Sequence, residues 1–380
     1  MNGLTRIAAL SFFVGLYVGC SPVEFSLDDS KCAESGCVVV DGVYSFNYSV
    51  TAGYGKVDIL IVNDNSASMS FEQTRLAPRF ANFIADLDAR KVDYRIAMTT
   101  TDVSGSGSLK GGSLIYFKEG TPYLTPKMSD RFTLFSSTIQ RSETLNCEKF
   151  IANWIRNNGG NVSSINSSSY SAAYAQNCPS GDERGVYAAN LVVKNNPSSF
   201  IRSDAHLSII FLSDEDERSG SYGSSSFALE DMDQPGTLVA NVKTYLGADK
   251  FNSLSVHAIV VKDNTCLGEQ NSQTLDSYAP TKGLVRGSIG TVYLSFVTQG
   301  WGNSADICSS DYPSQLGEIR SSIANKTKDT ILYCSDPQNL TVTVAGSAVS
   351  YTLSGKTLKF DEALAQGTTA DVSYKCTSID

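Results

Sequence analysis

The sequence predicts a doubly wound α/β fold, with a mostly parallel sheet between layers of helices, and a small all-β domain formed by the chain ends. Between residues 56 and 330, apolar runs typical of buried strands alternate with segments of helical period, which is the pattern of a parallel sheet with crossover helices. Towards both chain ends, apolar and polar residues alternate instead, as in strands with one solvated face. A chain of 380 residues, 41% of them hydrophobic and 18% charged, is long enough for both units.

The first buried strand is VDILIV at 57–62, and a helix is expected to follow it. Apolar residues after this strand recur at helical spacing: Leu76, Phe80, Phe83, Ile84 and Leu87. Pro78 lies inside this periodic segment, so it must sit near the start of the helix or bend it.

The remaining α/β elements follow the same alternation. Further buried strands are predicted at DYRIAMTT (93–100), HLSIIFLS (206–213), LSVHAIVV (254–261) and TVYLSFV (291–297), with SLIYFKE (113–119) as an edge strand. Helices are predicted around 145–157, 183–195, 238–246 and 313–325. Helical segments thus alternate with strands along this part of the chain, so the strands are expected to run mostly parallel.

The chain ends carry the alternating pattern of half-buried strands. It occurs at 42–51, 340–346, 350–360 and 370–376. The C-terminal strands alone would make a thin core, so strand 42–51 is expected to pair with them and the α/β domain to be inserted between. The predicted organisation is a signal segment at 1–20, a linker and strand at 21–55, the α/β domain at 56–330 and the β-domain at 331–380.

The N-terminal residues predict an export signal. Arg6 precedes an apolar run that ends at Gly19 and is too short to cross a bilayer, which is the layout of a secretory signal. LYVGC at 16–20 resembles a bacterial lipobox, so Cys20 is expected to be lipidated and to anchor the chain at the outer membrane, with display at the cell surface. The alternative is an ordinary signal peptide cut elsewhere.

The cysteines support export. Nine cysteines, less the lipidated Cys20, leave an even number that an oxidising compartment would pair. Sequence proximity suggests disulfides between Cys32 and Cys37, Cys147 and Cys178, Cys266 and Cys308, and Cys334 and Cys376. Metal binding by these thiols is less strongly indicated than disulfide formation, because the chain has only two histidines and no C-x-x-C motif. A net charge of −9 without a basic run excludes nucleic acid as the main partner.

Two strand ends carry the residues that indicate chemistry. Asp64, Ser66 and Ser68 follow strand 57–62 with D-x-S-x-S spacing, and Asp214 follows strand 206–213. Ligands of open parallel sheets bind outside the carboxyl ends of the strands, and these oxygen side chains suit Mg²⁺, Mn²⁺ or Ca²⁺. The alternatives are a polar turn with a serine cap for the first group and a solvated acidic loop for residues 215–217.

These features together resemble a von Willebrand factor type A (vWA) domain, in particular secreted or lipid-anchored bacterial members. The segments that carry the resemblance are DILIVNDNSASM, DYRIAMTTTD, FIRSDAHLSIIFLSDEDE and ADICSSDYPSQL. The resemblance implies a Rossmann-like fold and a metal-ion-dependent adhesion site (MIDAS). It implies that Asp64, Ser66, Ser68 and Asp214 hold the ion, Mg²⁺ or otherwise Ca²⁺ or Mn²⁺, and that an acidic group of a partner completes its coordination.

The sequence departs from that family at one ligand. The family pattern has a threonine in the loop before the helix that leads into the fourth strand. The corresponding segment here is SGDERGVYAAN (180–190), which has no threonine. Ser180, Asp182 or Glu183 must therefore replace it, or Thr100 and Thr101 must take its role. An added carboxylate would make the site less attractive to an anionic ligand and would favour a neutral group such as a glycan hydroxyl, or Ca²⁺. Thr101, Asp102 and Asp216 are candidates to orient the ligands.

Adhesion is the function that this pattern favours. The expected partner is a surface protein or glycan of another cell, or an envelope protein, bound through the ion. The alternative is a periplasmic or outer-membrane scaffold that binds a partner protein through the same domain. Catalysis is not expected, because the chain has no G-x-S-x-G turn, no P-loop and no histidine near a nucleophile.

Overall fold

The computed structural model describes residues 37–51, 56–89, 91–104, 111–203, 205–218, 228–247, 250–251, 254–272, 287–309, 316–319, 330–361, 364 and 368–379. The predicted signal segment 1–20, with Cys20, lies outside the described residues. The same holds for Cys32 and for most of the predicted helix 313–325, of which residues 316–319 are described and helical.

Strands and helices alternate in the described α/β part of the chain, and strands predominate towards both chain ends. The strands are β1 (Cys37–Val40), β2 (Val43–Thr51), β3 (Lys56–Asn63), β4 (Asp93–Thr100), β5 (His206–Ser213), β6 (Leu254–Val260), β7 (Ser304–Asp306), β8 (Thr330–Ile331), β9 (Gln338–Val344), β10 (Ser347–Ala348), β11 (Tyr351–Ser354), β12 (Thr357–Phe360) and β13 (Thr369–Cys376). The helices are α1 (Ser70–Ala89), α2 (Arg131–Ile139), α3 (Ser142–Asn157), α4 (Ser168–Asn177), α5 (Gly185–Asn195), α6 (Pro235–Leu246), α7 (Asn264–Ser272) and α8 (Thr291–Thr298).

A parallel five-stranded sheet forms the centre of the α/β domain, as predicted. Its strand order is β4-β3-β5-β6-β7, and every neighbouring pair is parallel. Asn63, the last residue of β3, lies between Thr100 of β4 and Leu212 of β5. The carboxyl ends of these three strands therefore meet at one edge of the sheet.

The sheet separates two hydrophobic layers. Along β3, Ile59 and Ile61 pack into one layer, and Leu60 and Val62 pack into the other, as the two-residue period of a strand requires. The first layer includes α1 and α2, and the second includes α5, α6 and α8. Burial on both faces explains why these strands are almost uninterrupted apolar runs.

The chain ends form antiparallel sheets, again as predicted. One sheet has the order β1-β2-β13-β9-β10, and a second, smaller sheet has the order β11-β12-β8. β2 pairs with β13 from Thr51 opposite Thr369 to Tyr44 opposite Cys376. Phe46 stacks on Tyr374 at 5.0 Å between ring centroids and packs in the core of this unit.

The predicted edge strand 113–119 is wrong. The segment does lie along the edge of β4, where the Ile115 N–H donates to the Met98 carbonyl at 2.8 Å. Only isolated bridges form there, between Ile96 and Leu124 and between Lys118 and Thr121. The chain reverses between Lys118 and Thr121, so the segment is too short to build a ladder.

The predicted strand TVYLSFV (291–297) is also wrong, because this segment is helix α8. Its β-branched and aromatic residues favour a strand locally. Tyr293 and Phe296, three residues apart, both face the sheet and stack on Phe211 at 4.8 and 5.6 Å, so tertiary packing selects the helix. The fifth strand of the sheet is the short β7 instead.

Three of the suggested disulfides are present: Cys147–Cys178, Cys266–Cys308 and Cys334–Cys376. The suggested pair of Cys32 and Cys37 reaches beyond the described residues. None of the helices in the described part of the chain combines the length and the apolar character that crossing a membrane requires.

Candidate metal centre

Asp64 and Asp214 lie at the carboxyl edge of the sheet. Asp64 follows the end of β3 and Asp214 follows the end of β5, and both residues are fully buried. The two strands are neighbours, and the backbone N–H of Asp64 donates to the Leu212 carbonyl at 2.9 Å. The sheet itself therefore places the two aspartates side by side.

The carboxylate of Asp64 is held by hydrogen bonds on both oxygens. Oδ1 accepts from the backbone N–H of Ser66 at 2.8 Å and from the Thr101 hydroxyl at 3.4 Å. Oδ2 accepts from the Ser213 hydroxyl at 2.6 Å. The donors come from the loop after β3, from the end of β4 and from β5, so three strands fix the orientation of one carboxylate.

The two serines of the motif connect the aspartates. The hydroxyl oxygens of Ser66 and Ser68 are 2.9 Å apart, and Ser68 donates to Oδ1 of Asp214 at 3.1 Å. Ser66 is buried and Ser68 is half-buried. The side chains predicted from the D-x-S-x-S spacing thus lie in one hydrogen-bonded cluster of oxygens with Asp214.

Glu183 is the residue of segment 180–190 that the structure brings to this cluster. It is 3% exposed, and its backbone is left-handed with φ 46°. Burial, followed by the charges of Asp64 and Glu215, raises the pKa of Glu183 well above the usual glutamate range. Its Oε2 is buried without a hydrogen-bond partner in the described chain. An orphaned acceptor oxygen beside a buried carboxylate is what a cation would satisfy.

The other candidates from this segment have different partners. Asp182 accepts the backbone N–H of Ser104 at 2.6 Å through Oδ2. Ser180 hydrogen-bonds to both oxygens of Asp102, through its backbone N–H at 3.2 Å and through its hydroxyl. Asp102 thereby joins the end of β4 to the loop that leads to Glu183. Among the predicted orienting residues, Thr101 hydrogen-bonds to Asp64 directly.

The acidic loop after β5 caps two helices and is not a solvated loop. Asp216 accepts the backbone N–H of Val292 at 2.9 Å, at the start of α8, and burial raises its pKa to about 6. Glu217 accepts the N–H groups of Val186 and Tyr187 at 2.8 and 3.2 Å, at the start of α5. Carboxylates at helix N-termini are stabilising, so both side chains position the loop rather than offer an oxygen to the cluster.

Two arginines fix the backbone on either side of Glu183. Arg184 forms ion pairs with Asp233 and Glu230 at 2.8 and 2.7 Å. The backbone N–H of Arg218 donates to the Glu183 carbonyl at 2.6 Å, and its guanidinium pairs with Glu230 at 2.7 Å. This network keeps the left-handed residue, and hence its carboxyl group, against Asp64.

Sequence reasoning missed two residues that hydrogen-bond to the backbone of the loop after β3, residues 64–69, which we call the metal loop. Gln73 of α1 donates to the Asp64 carbonyl at 2.8 Å and accepts the Arg141 N–H at 2.9 Å. Thr144 of α3 donates to the Asn65 carbonyl at 2.8 Å. Gln73 lies one turn before Leu76 and Ala77 on the buried face of α1, and this position was the available signal for it. Nothing in the sequence connects Thr144 with residue 65.

The donor set fits a hard divalent cation. All the converging groups are carboxylate or hydroxyl oxygens, which suit Mg²⁺, Mn²⁺ or Ca²⁺. A second group of metal-ligating residue types, Cys266, Asp306 and Cys308, lies close together. Cys266 and Cys308 are joined in a disulfide, so neither sulfur is a thiolate that could bind a metal.

No protein-family model and no curated protein sequence matches the chain. Solved structures similar to it include the pilus adhesin SpaC from Lactobacillus rhamnosus GG in an open conformation, with 12% identity, a TM-score of 0.37 and coverage of 89% of this chain and 41% of that chain. Another is a von Willebrand factor type A protein from Catenulispora acidiphila, with 12% identity, a TM-score of 0.33 and coverage of 88% and 60%.

A third similar structure is proximal thread matrix protein 1 from the mussel byssus, solved with a zinc-occupied MIDAS motif. It has 10% identity and a TM-score of 0.36, with coverage of 76% of this chain and 52% of that chain. The chain therefore spans less than two thirds of the length of each of these proteins.

Proposed function

We propose that this chain is a metal-dependent adhesion protein. Asp64, Ser66, Ser68, Asp214 and Glu183 would hold Mg²⁺, or Ca²⁺ or Mn²⁺, at the carboxyl edge of the sheet. The observation that carries this proposal is the single cluster formed by these side chains, with the buried Glu183 Oε2 left without a partner in the described chain.

The bound ion would supply a coordination position for an oxygen of the ligand. The chain's own residues hold the side chains that would bind the ion in a fixed arrangement. Asp64 is held by Thr101 and Ser213, and the loop that carries Ser66 and Ser68 is held by Gln73 and Thr144. A site whose ligands are fixed before binding loses little ordering entropy when the partner arrives.

The charge of the site favours a neutral ligand. Asp64, Asp214 and Glu183 bring three carboxyl groups to one divalent ion, so no positive charge remains for an anionic partner. Glu215 adds a fourth carboxyl group near Glu183. A hydroxyl or carbonyl oxygen, as on a glycan, is therefore a better ligand than a carboxylate.

The proposed location rests on the export features of the sequence. We propose a lipid anchor at Cys20, display on the outer membrane, and a ligand that is a glycan or protein of another cell or of the envelope. We propose binding rather than catalysis. His206 hydrogen-bonds to the Ser255 hydroxyl, and His257 accepts the Asn303 N–H, so neither histidine brings a base to the cluster.

Calorimetric titration of the full chain with Mg²⁺, Mn²⁺ and Ca²⁺ tests the metal site. Binding is expected for the wild type and should be lost in Asp64→Ala/Ser66→Ala. The matched control is Asp130→Ala/Ser137→Ala, which alters an exposed aspartate and an exposed serine around α2 and should leave binding unchanged. Absence of binding of all three ions to the wild type, or equal binding by the site variant, would overturn the proposal.

Surface display separates adhesion from the scaffold alternative. Protease added to intact cells should cleave an adhesin, whereas a periplasmic scaffold should be cleaved only after the outer membrane is opened.

A further inference from the structure

A disulfide-closed segment lies beside the metal loop. This segment, Ser142–Cys178, contains α3 and α4 and is closed by the Cys147–Cys178 bond. At its start, Thr144 bonds to the Asn65 carbonyl, and just after its end, Ser180 bonds to Asp102. Both ends are therefore attached to backbone that borders the ion ligands. We call Ser142–Cys178 the disulfide insert.

Much of the disulfide insert carries no charge. Residues 157–181 include no Asp, Glu, Lys, Arg or His, although the chain as a whole has 30 basic and 39 acidic residues. On α4 and the preceding turn, the exposed residues are mainly serine, asparagine, glutamine, alanine and glycine. Solubility alone is better served by charged side chains. Serine, glycine and asparagine with tyrosine are instead the composition of surfaces that bind ligands by adaptable hydrogen bonds.

Core packing does not account for α4. The helix has no buried residue. The ring of Tyr170 lies 5.4 Å from that of Trp154 and 6.0 Å from that of Phe150, and Tyr174 lies 5.8 Å from Tyr170. None of these four aromatic residues belongs to a hydrophobic cluster of the main cores. The insert therefore has its own aromatic support, which keeps an uncharged polar face rigid beside the site.

We propose that the uncharged face of the disulfide insert is the ligand-contacting surface next to the ion, and that its ligand is a neutral, hydroxyl-rich glycan. This inference rests on the proposed metal-dependent adhesion and names its specificity surface. A neutral glycan presents hydroxyls both to a metal ion and to serine, asparagine and glutamine side chains, and it has no charge that the surrounding carboxylates would repel. The ten residues of α4 span about 15 Å, which gives room for more than one sugar ring.

The test places charges on this face. Ala172 and Gln176 are exposed and one turn apart on α4, and Ala240 and Thr244 are exposed and one turn apart on α6. The variants are Ala172→Glu/Gln176→Glu and the matched control Ala240→Glu/Thr244→Glu. A third variant, Ala172→Ser/Gln176→Asn, changes the same positions but keeps them uncharged.

Binding of the full chain to immobilised dextran, mannan and galactan is measured with Mg²⁺ or Ca²⁺ present, beside the uronate polymers alginate and polygalacturonate. At least one neutral polysaccharide should bind better than the uronates. The α4 glutamates should weaken that binding by about tenfold or more, while the α6 glutamates and the uncharged α4 variant stay within about twofold of the wild type.

Preference for the uronates, failure of every neutral polysaccharide to bind, or equal binding by the α4 glutamate variant would overturn the inference. The site variant and chelator distinguish an error about this surface from an error about metal-dependent adhesion itself. If the α4 glutamates have no effect but chelator and Asp64→Ala/Ser66→Ala still abolish binding, metal-dependent adhesion stands and only the surface is wrong. If binding survives Asp64→Ala/Ser66→Ala, the metal-dependent function itself is wrong.

Discussion

At the scale of single residues, Glu183 shows how a strained backbone serves a binding cluster. A left-handed conformation is uncommon for a residue other than glycine and is costly unless its surroundings fix it. Here the Arg218 N–H and the ion pairs of Arg184 fix it. The gain is a third carboxyl group beside Asp64, and the cost is that burial and the neighbouring carboxylates raise its pKa and disfavour its charged form without a cation.

Glu183→Gln should therefore act in opposite directions with and without metal. Without metal, the variant should unfold at a temperature a few degrees higher, because burial forces Glu183 to take up a proton on folding and glutamine needs none. With Ca²⁺ or Mg²⁺, it should bind about tenfold or more weakly, because one carboxylate ligand is lost. Thermal unfolding in EDTA and calorimetric titration measure the two effects. A variant that matches the wild type in both would show that Glu183 faces no ion.

Glu217 predicts a dependence of stability on pH. Burial raises its pKa well above the usual glutamate range, so the folded chain keeps a proton that the unfolded chain releases above about pH 4.3. Between that pH and the folded pKa, the folded state binds more protons, and the free energy of unfolding falls as pH rises. Glu217→Gln cannot titrate and should show a shallower fall, because only the contributions of other groups with raised pKa values, such as Asp216, remain.

Urea unfolding in the presence of EDTA between about pH 5 and pH 7 measures the difference between the two proteins. The control Glu269→Gln changes an exposed glutamate of α7 and should keep the slope of the wild type. Parallel lines for the wild type and Glu217→Gln would contradict the prediction.

At the scale of elements, the metal loop is held by α1, which follows it directly, and by α3, which lies much further along the chain. Thr144→Val removes the hydroxyl that bonds to the Asn65 carbonyl and keeps the side-chain shape. We expect a loss of about 1–2 kcal/mol in stability and a loss of about tenfold or more in metal affinity, because the loop is less well fixed.

The matched control for this variant is Thr138→Val. Thr138 is also buried, but its hydroxyl bonds to the Leu134 carbonyl within its own helix. Urea unfolding and metal titration should show a drop in metal affinity for Thr144→Val alone. An equal drop in both variants would mean that the loop does not depend on α3.

The comparison of elements also shows which parts of the structure can be predicted from the sequence. Asp64, Ser66, Ser68 and Asp214 could be predicted, because each follows an apolar strand and parallel neighbours end at one edge. The choice of Glu183 among its neighbours could not, because it depends on a left-handed backbone that an arginine network imposes. Thr144 lies 79 residues from Asn65, and only the folded chain joins them.

The same limit explains the error over TVYLSFV. Its local composition favours a strand, whereas its contacts with Phe211 across the hydrophobic layer favour a helix. Local propensity identified the long strands that are buried on both faces. It failed for a short segment whose secondary structure is determined by the residues that it packs against.

At the scale of the whole molecule, metal should stabilise the α/β domain selectively. Both tryptophans, Trp154 and Trp301, lie within that domain, so tryptophan fluorescence reports its unfolding. Saturation to about 100 times the dissociation constant should add about 2.7 kcal/mol. The fluorescence midpoint should rise with metal and return with EDTA. Asp64→Ala/Ser66→Ala should show neither change, and a shift of equal size in that variant would contradict a specific site.

The pairing of β2 with β13 also bears on how the molecule would respond to a mechanical load. If the chain is held by residues before β1 and pulled at the metal centre, tension enters β2 at one end and leaves it at the other. Because β2 is already extended, this tension runs along its own backbone and does not pull β2 and β13 in opposite directions. The hydrogen bonds from Tyr44–Cys376 to Thr51–Thr369 would therefore be spared, and this part of the sheet would lengthen little under the load.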